Sequence, residues 1–257
     1  MKNFIKPIFI TALVFIVTTS LVTENKTTIV VAANLKTAMD SIITIFKINN
    51  PGEQIQVNYG SSGKFYEQIS NDAPFDVFFS ADMNYPNKLK ENKFAISPVK
   101  LYAIGRLALW SKKIDPNTQQ MNSLLDAGIK KIAIANPVTA PYGARAVEAM
   151  KFYKVYDKVK TKLVYGENIA QTSQFVAFGA ADIGIIALSE ALSPSMKKEG
   201  GKYYLIPDNS HAPLEQGCVL LKHGKGNAVA TKFYDYISSE KAISILSYYG
   251  YSQKQTK

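Results

Sequence analysis

Two spacings of apolar residues take turns along this chain. The segments Thr27–Ala33, Gln54–Tyr59 and Asp76–Phe79 are short and rich in β-branched or aromatic residues, and read as strands. Between them, Thr37–Asn50 carries Ala38, Ile42, Ile45 and Phe46 on one helical face, and Ser62–Asn71 carries Phe65 and Ile69 at i, i+4. Asn84–Asn92 reads as a short helix and Tyr102–Trp110 as one long strand.

A second series repeats the alternation. Strands are predicted at Lys131–Ala135, Lys162–Tyr165, Asp182–Ala187, Tyr203–Pro207 and Leu214–Leu221. Helices are predicted at Pro141–Tyr153, with Pro141 suited to the first helical position, and at Ile169–Gly179, with Asn168 as N-cap. Two more helices follow, Asn227–Ser238 and Glu240–Tyr249. This βαβα order predicts α/β architecture: mostly parallel sheets flanked by helices, in two lobes. Ligands of such sheets bind beyond the carboxyl ends of the strands, here in a cleft between lobes.

Composition narrows the classes. Lys2 and Lys6 precede the apolar run Ile8–Val17 and then Thr18, Thr19 and Ser20, the form of a secretory signal over residues 1–23. Export places the mature protein in the periplasm. The formal net charge is +10, but Arg106 and Arg145 are the only arginines and the lysines are scattered. No arginine cluster is present to read nucleic acid, so no nucleic-acid partner is expected. Cys218 is the single cysteine, in an apolar run, and is read as a buried structural thiol. His211 and His223 lack partners at metal-ligand spacing, so no direct metal ligands are expected.

Candidate chemistry lies at four strand-to-helix junctions: Ala32-Ala33-Asn34, Gly60-Ser61-Ser62-Gly63, Ala140-Pro141-Tyr142-Gly143 and Glu167-Asn168-Ile169-Ala170. Each puts small or neutral polar groups at a helix start, where the first N–H groups have no helical acceptor and the dipole favours an anion. Asn34 and Ser62 offer side-chain donors; Tyr142 and Ile169 offer backbone N–H. Converged, they would suit a fully deprotonated oxyanion, which only accepts hydrogen bonds. Asp76 and Asp82 are read as loop and cap residues. GSSGK falls short of a phosphate loop because Phe65 follows Lys64, and no G-x-S-x-G elbow occurs. No catalytic residue and no cofactor are expected, and the chain is read as a non-enzyme.

From Ile29 to Tyr251 the chain resembles the periplasmic molybdate/tungstate-binding proteins of ABC importers. The motifs are VVAANL (Val30–Leu35), YGSSG (Tyr59–Gly63), APFDVFFSAD (Ala73–Asp82), GRLALW (Gly105–Trp110), ANPVTAPYGARAVEAM (Ala135–Met150), GENIAQ (Gly166–Gln171) and YYGY (Tyr248–Tyr251). The resemblance implies a two-lobed periplasmic-binding-protein fold of type II, with residues 24–105 and 216–257 in lobe I and 106–215 in lobe II. It implies a molybdate or tungstate oxyanion held by Asn34, with Ala33 beside it, by Ser62, and by the backbone N–H groups of Tyr142 and Ile169. It also implies a monomeric receptor that docks on a membrane permease. Some members add a tyrosine hydroxyl where this chain has Ala187, so that contact is expected to be missing. A receptor for sulfate, phosphate or a small organic acid on the same fold is the alternative.

Overall fold

The computed structural model describes residues 26–253, so the candidate signal segment lies outside the described residues. Two five-stranded sheets organise the chain. The first has the order β2 (Ile55–Gly60), β1 (Thr27–Ala32), β3 (Val77–Phe79), β10 (Leu214–Leu220), β4 (Lys100–Gly105). The second has the order β7 (Leu163–Gly166), β6 (Ile132–Ala135), β8 (Ile183–Ala187), β5 (Leu107–Ser111), β9 (Lys202–Leu205). In each sheet one strand runs against the rest: β10 is antiparallel to β3 and β4, and β5 to β8 and β9. These are the two strands that begin just after the chain has crossed between sheets.

The sequence pattern predicts one strand across Tyr102–Trp110, and the structure corrects this. The run breaks at Arg106 into β4 and β5, which belong to different sheets. Both halves are apolar because both are buried, so the hydrophobic pattern carries no mark of the break. The Arg106 carbonyl accepts the Leu188 N–H and the Leu107 carbonyl accepts the Ile206 N–H, which fixes the crossing in place.

Both sheets are covered on both faces, which is why their strands are apolar nearly throughout. In β1, Ile29 and Val31 point into a core with Leu35, Met39, Ile42 and Phe46 of the α1 region (Lys36–Asn49) and Phe233 and Leu246 of α9 (Ala228–Tyr236) and α10 (Glu240–Tyr248). Val30 points the other way, toward Phe65 and Ile69 of α2 (Ser62–Ser70) and Leu89 of α3 (Asn84–Glu91). The period-two alternation of a strand thus splits one β-branched run between two cores.

The second sheet repeats the device. Leu107 and Leu109 pack with Ala146 and Met150 of α4 (Pro141–Phe152) and Val159 of α5 (Tyr156–Val159). Ala108 and Trp110 pack with Val176 of α6 (Ile169–Ala177), Ala191 of α7 (Leu188–Ala191) and Met196 of α8 (Pro194–Lys198). Cys218 is buried in the first core and its thiol is pushed up by desolvation, in keeping with a structural role. Among the described residues no helix is long and apolar enough to cross a membrane.

Candidate functional site

The carboxyl ends of β1, β2, β6 and β7 face one another across the cleft, and each leads into a helix start. All five residues singled out from the sequence (Ala33, Asn34, Ser62, Tyr142 and Ile169) line one small cavity of about 10 Å³. Ser61, Ala81, Ala140, Pro141 and Asn168 help complete its wall, and no lining residue carries a formal charge. The amino ends of α2, α4 and α6 therefore bring their partial positive charge to one point in the cleft without a buried cation.

The donors differ in how they are held. Ser62 Oγ accepts the Ala81 N–H at 2.9 Å, so its own proton is left to donate. Ser61 is the N-cap of α2, yet its side chain makes no capping bond and its hydroxyl is buried without a partner. A serine at that position ordinarily bonds the N2 or N3 amide, and here that capacity is left over. Pro141 takes the first turn of α4 and Tyr142 follows it. Ile169 opens α6, where the Asn168 side chain accepts the Gln171 N–H at 3.0 Å. The N–H groups of Tyr142 and Ile169 lie in first turns and have no intrahelical acceptor.

Asn34 departs from its expected role. Its Nδ2 donates to Gln216 Oε1 at 3.0 Å and to the Tyr251 hydroxyl at 2.8 Å, while its Oδ1 is buried without a partner. Behind the cavity these residues form a buried polar cluster. Gln216 Nε2 donates to the Tyr142 hydroxyl at 3.1 Å, and Ser189 Oγ donates to the Asn34 carbonyl at 2.8 Å. Desolvation holds the Tyr102, Tyr142 and Tyr251 phenols well above their ordinary range, so all three stay neutral.

The lobes are clasped around the site. At the front, the Gly63 N–H donates to the Thr139 carbonyl at 2.9 Å and Lys64 Nζ meets Glu167 Oε1 at 2.6 Å. A Cβ at Gly63 would lie 2.9 Å from both the Thr139 Cα and its carbonyl oxygen, so only glycine permits this approach. Asp76 accepts the Thr28 N–H, and Asp82 accepts from Ser80 Oγ and the Tyr85 N–H; both are outside the cavity wall. Among the described residues, no cluster of three or more His, Cys, Asp or Glu could hold a metal ion.

Sequence reasoning placed Ser61 in a candidate turn without giving it a role, and missed Gln216, Ser189 and Tyr251. A signal for Gln216 was present: with Glu215 it is one of two adjacent polar residues inside LEQGCVLL, a mainly apolar strand whose register slips between Gln216 and Gly217.

Comparison with known proteins agrees with this fold. Residues 27–252 match the family described as bacterial extracellular solute-binding protein. The molybdate-binding protein ModA of Azotobacter vinelandii is 38% identical over 224 residues, 87% of this chain and 88% of that one. The solved periplasmic molybdate-binding protein of the same organism superposes with a TM-score of 0.82 at 32% identity, covering 90% of this chain and all of that one. The sulfate-binding protein SubI of Mycobacterium tuberculosis shares the fold, with a TM-score of 0.74 at 14% identity over 90% of this chain and 87% of that one. With the family matched across nearly every described residue, the chain belongs to the bacterial extracellular solute-binding proteins.

Proposed function

We propose that this protein is an exported, monomeric receptor that binds molybdate or tungstate in the interlobe cavity and delivers it to the permease of an ABC importer. The observation that carries the reading is the wall of neutral donors. Ser61 and Ser62 hydroxyls and the first-turn amides of α4 and α6 line a small space with no fixed charge. A dianion that only accepts hydrogen bonds satisfies them all, and helix dipoles supply the favourable potential. The similarity to molybdate-binding relatives supports the same anion class.

The bound anion would sit against both lobes, so its affinity is greater for the closed form and drives closure. The anion is cargo, held through its oxygens rather than by metal–protein bonds. No nucleophile paired with a base faces the cavity, which supports a binding role rather than catalysis. No nucleic-acid partner is assigned, and the periplasm is the proposed location.

Thermal unfolding of the mature protein against molybdate, tungstate, sulfate, phosphate and chloride tests the reading. A ligand at a hundred times its dissociation constant adds about 2.7 kcal/mol, a visible rise in midpoint. The rise is expected with molybdate and tungstate. A rise with sulfate or phosphate alone would move the assignment to another anion on this fold.

A further inference from the structure

The strand β10 buries a glutamine side chain completely. Gln216 is fully enclosed, and its two amide atoms face residues from both lobes. Oε1 accepts from Asn34 Nδ2 and from the Tyr102 hydroxyl, each at 3.0 Å, and Nε2 donates to the Tyr142 hydroxyl at 3.1 Å. Tyr102 also lies 2.9 Å from the Ser80 carbonyl, and its single proton serves one acceptor. The crossing segment packs directly on this group: a Cβ at Gly105 would fall 2.1 Å from the Tyr142 hydroxyl and 2.4 Å from Gln216 Nε2.

A carboxamide has a donating and an accepting side, and half a turn exchanges them. With Nδ2 on Gln216 and Tyr251, Asn34 has only Oδ1 left for a ligand, and that atom is buried without a partner. Turning the Asn34 and Gln216 amides together gives a second closed set of bonds. Gln216 Nε2 then donates to Asn34 Oδ1 and to Tyr102, whose proton goes to the Ser80 carbonyl. Gln216 Oε1 accepts the Tyr142 proton, and the Tyr251 proton moves to Asn34 Oδ1 from the Asn34 carbonyl, which keeps its bond from Ser189 Oγ. Every neighbour keeps a partner, and the Asn34 N–H pair takes the place of the unpartnered oxygen. Only this second set suits an anion without protons of its own, since an amide oxygen facing a dianion is repulsive.

We infer that Gln216 is a positioning residue for the anion site: the way its amide faces decides whether Asn34 offers an N–H pair or an oxygen. It thereby ties the site to fully deprotonated oxyanions. The inference rests on the receptor reading above and goes beyond it, because Gln216 is not part of the cavity wall.

A double-mutant cycle tests it by titration calorimetry with molybdate and tungstate. Gln216→Met keeps the length of the side chain and removes both polar atoms. It is expected to weaken binding about tenfold in the otherwise unchanged protein and less than about twofold in an Asn34→Ala background, because Gln216 acts through Asn34. A loss from purely structural damage would be equal in the two backgrounds, and that result, or no loss in either, overturns the inference alone. If the methionine variant does not fold, Gln216→Glu serves. Titrated at about pH 9 to 10, where a carboxyl raised by burial ionises, it accepts from the same three neighbours but cannot donate, which holds Asn34 with its oxygen outward, so binding is expected to fall at least tenfold. Unchanged affinity in Gln216→Glu overturns the proposal. Failure of the unsubstituted protein to bind either anion overturns the receptor reading and this inference with it.

Discussion

The two walls of the cavity are built from different material. The wall from the first sheet presents side chains: Asn34, Ser61 and Ser62. The wall from the second presents backbone, at the starts of α4 and α6, through Tyr142 and Ile169. A side-chain donor is encoded by one residue and removed by one substitution. A backbone donor is encoded by the fold, and the residue at that position is chosen for other reasons. Tyr142 and Ile169 are buried because their side chains join the core beneath the cavity. The first wall sets which hydroxyl or amide meets the anion; the second supplies N–H groups that no ordinary substitution takes away.

The largest expected effect breaks the contact between the walls rather than either one. Gly63→Val would drive a side chain into the Thr139 backbone of the opposite lobe. Anion affinity should fall by about 3 kcal/mol, the upper range of overpacking, because the lobes no longer close. The unfolding midpoint without anion should hardly move, and differential scanning calorimetry with and without molybdate separates the two.

Next come paired deletions of one donor from each wall. Ser62→Ala should cost about 2 kcal/mol of affinity, the worth of a hydrogen bond to a charged group. Ile169→Pro removes a backbone donor at the first position of α6, where proline is accommodated, and Asn168 already has the extended conformation that a following proline requires. A similar loss of affinity is expected by titration. A full loss from Ser62→Ala with none from Ile169→Pro would mean that the second wall only encloses the anion.

An effect on stability rather than affinity belongs to the rear of the interface. Glu190 on α7 is buried, and desolvation raises its carboxyl from 4.5 to about 7, against the pull of Lys36. Between pH 4.5 and about 7 the folded protein therefore keeps a proton that the unfolded chain has released. Stability should fall as pH rises through that window, by about 3 kcal/mol at most, and Glu190→Gln should flatten the decline. Denaturant unfolding at each pH reads it directly.

The smallest is Lys64→Ala. Its ion pair with Glu167 joins the lobes, but both side chains are about half exposed. Affinity should change by less than about 1 kcal/mol, and the difference should shrink in added salt.

How far the sequence could be read follows the same division. The strands and helices were legible because β-branched runs and helical spacing mark them, and the helix starts because Ser61, Pro141 and Asn168 are turn or cap residues. The break at Arg106 was hidden, because Leu101–Gly105 and Leu107–Trp110 are equally apolar on either side of the crossing. The five lining residues singled out from the sequence were within reach because each sits at a strand-to-helix junction. The cluster behind them was not: Gln216, Ser189 and Tyr251 come from three distant segments, and only the folded chain brings them to Asn34. Even the orientation of Asn34 depends on those partners, so the residue type named a donor without fixing what it donates to.

The most direct test of the account is a crystal structure of the mature protein grown with molybdate. The account predicts closed lobes and one anion in the cavity, with Ser62 Oγ, an Asn34 N–H and the Tyr142 and Ile169 amides all within about 2.7–3.2 Å of its oxygens. An anion held by lysine side chains on the surface, with the cavity empty, would contradict it.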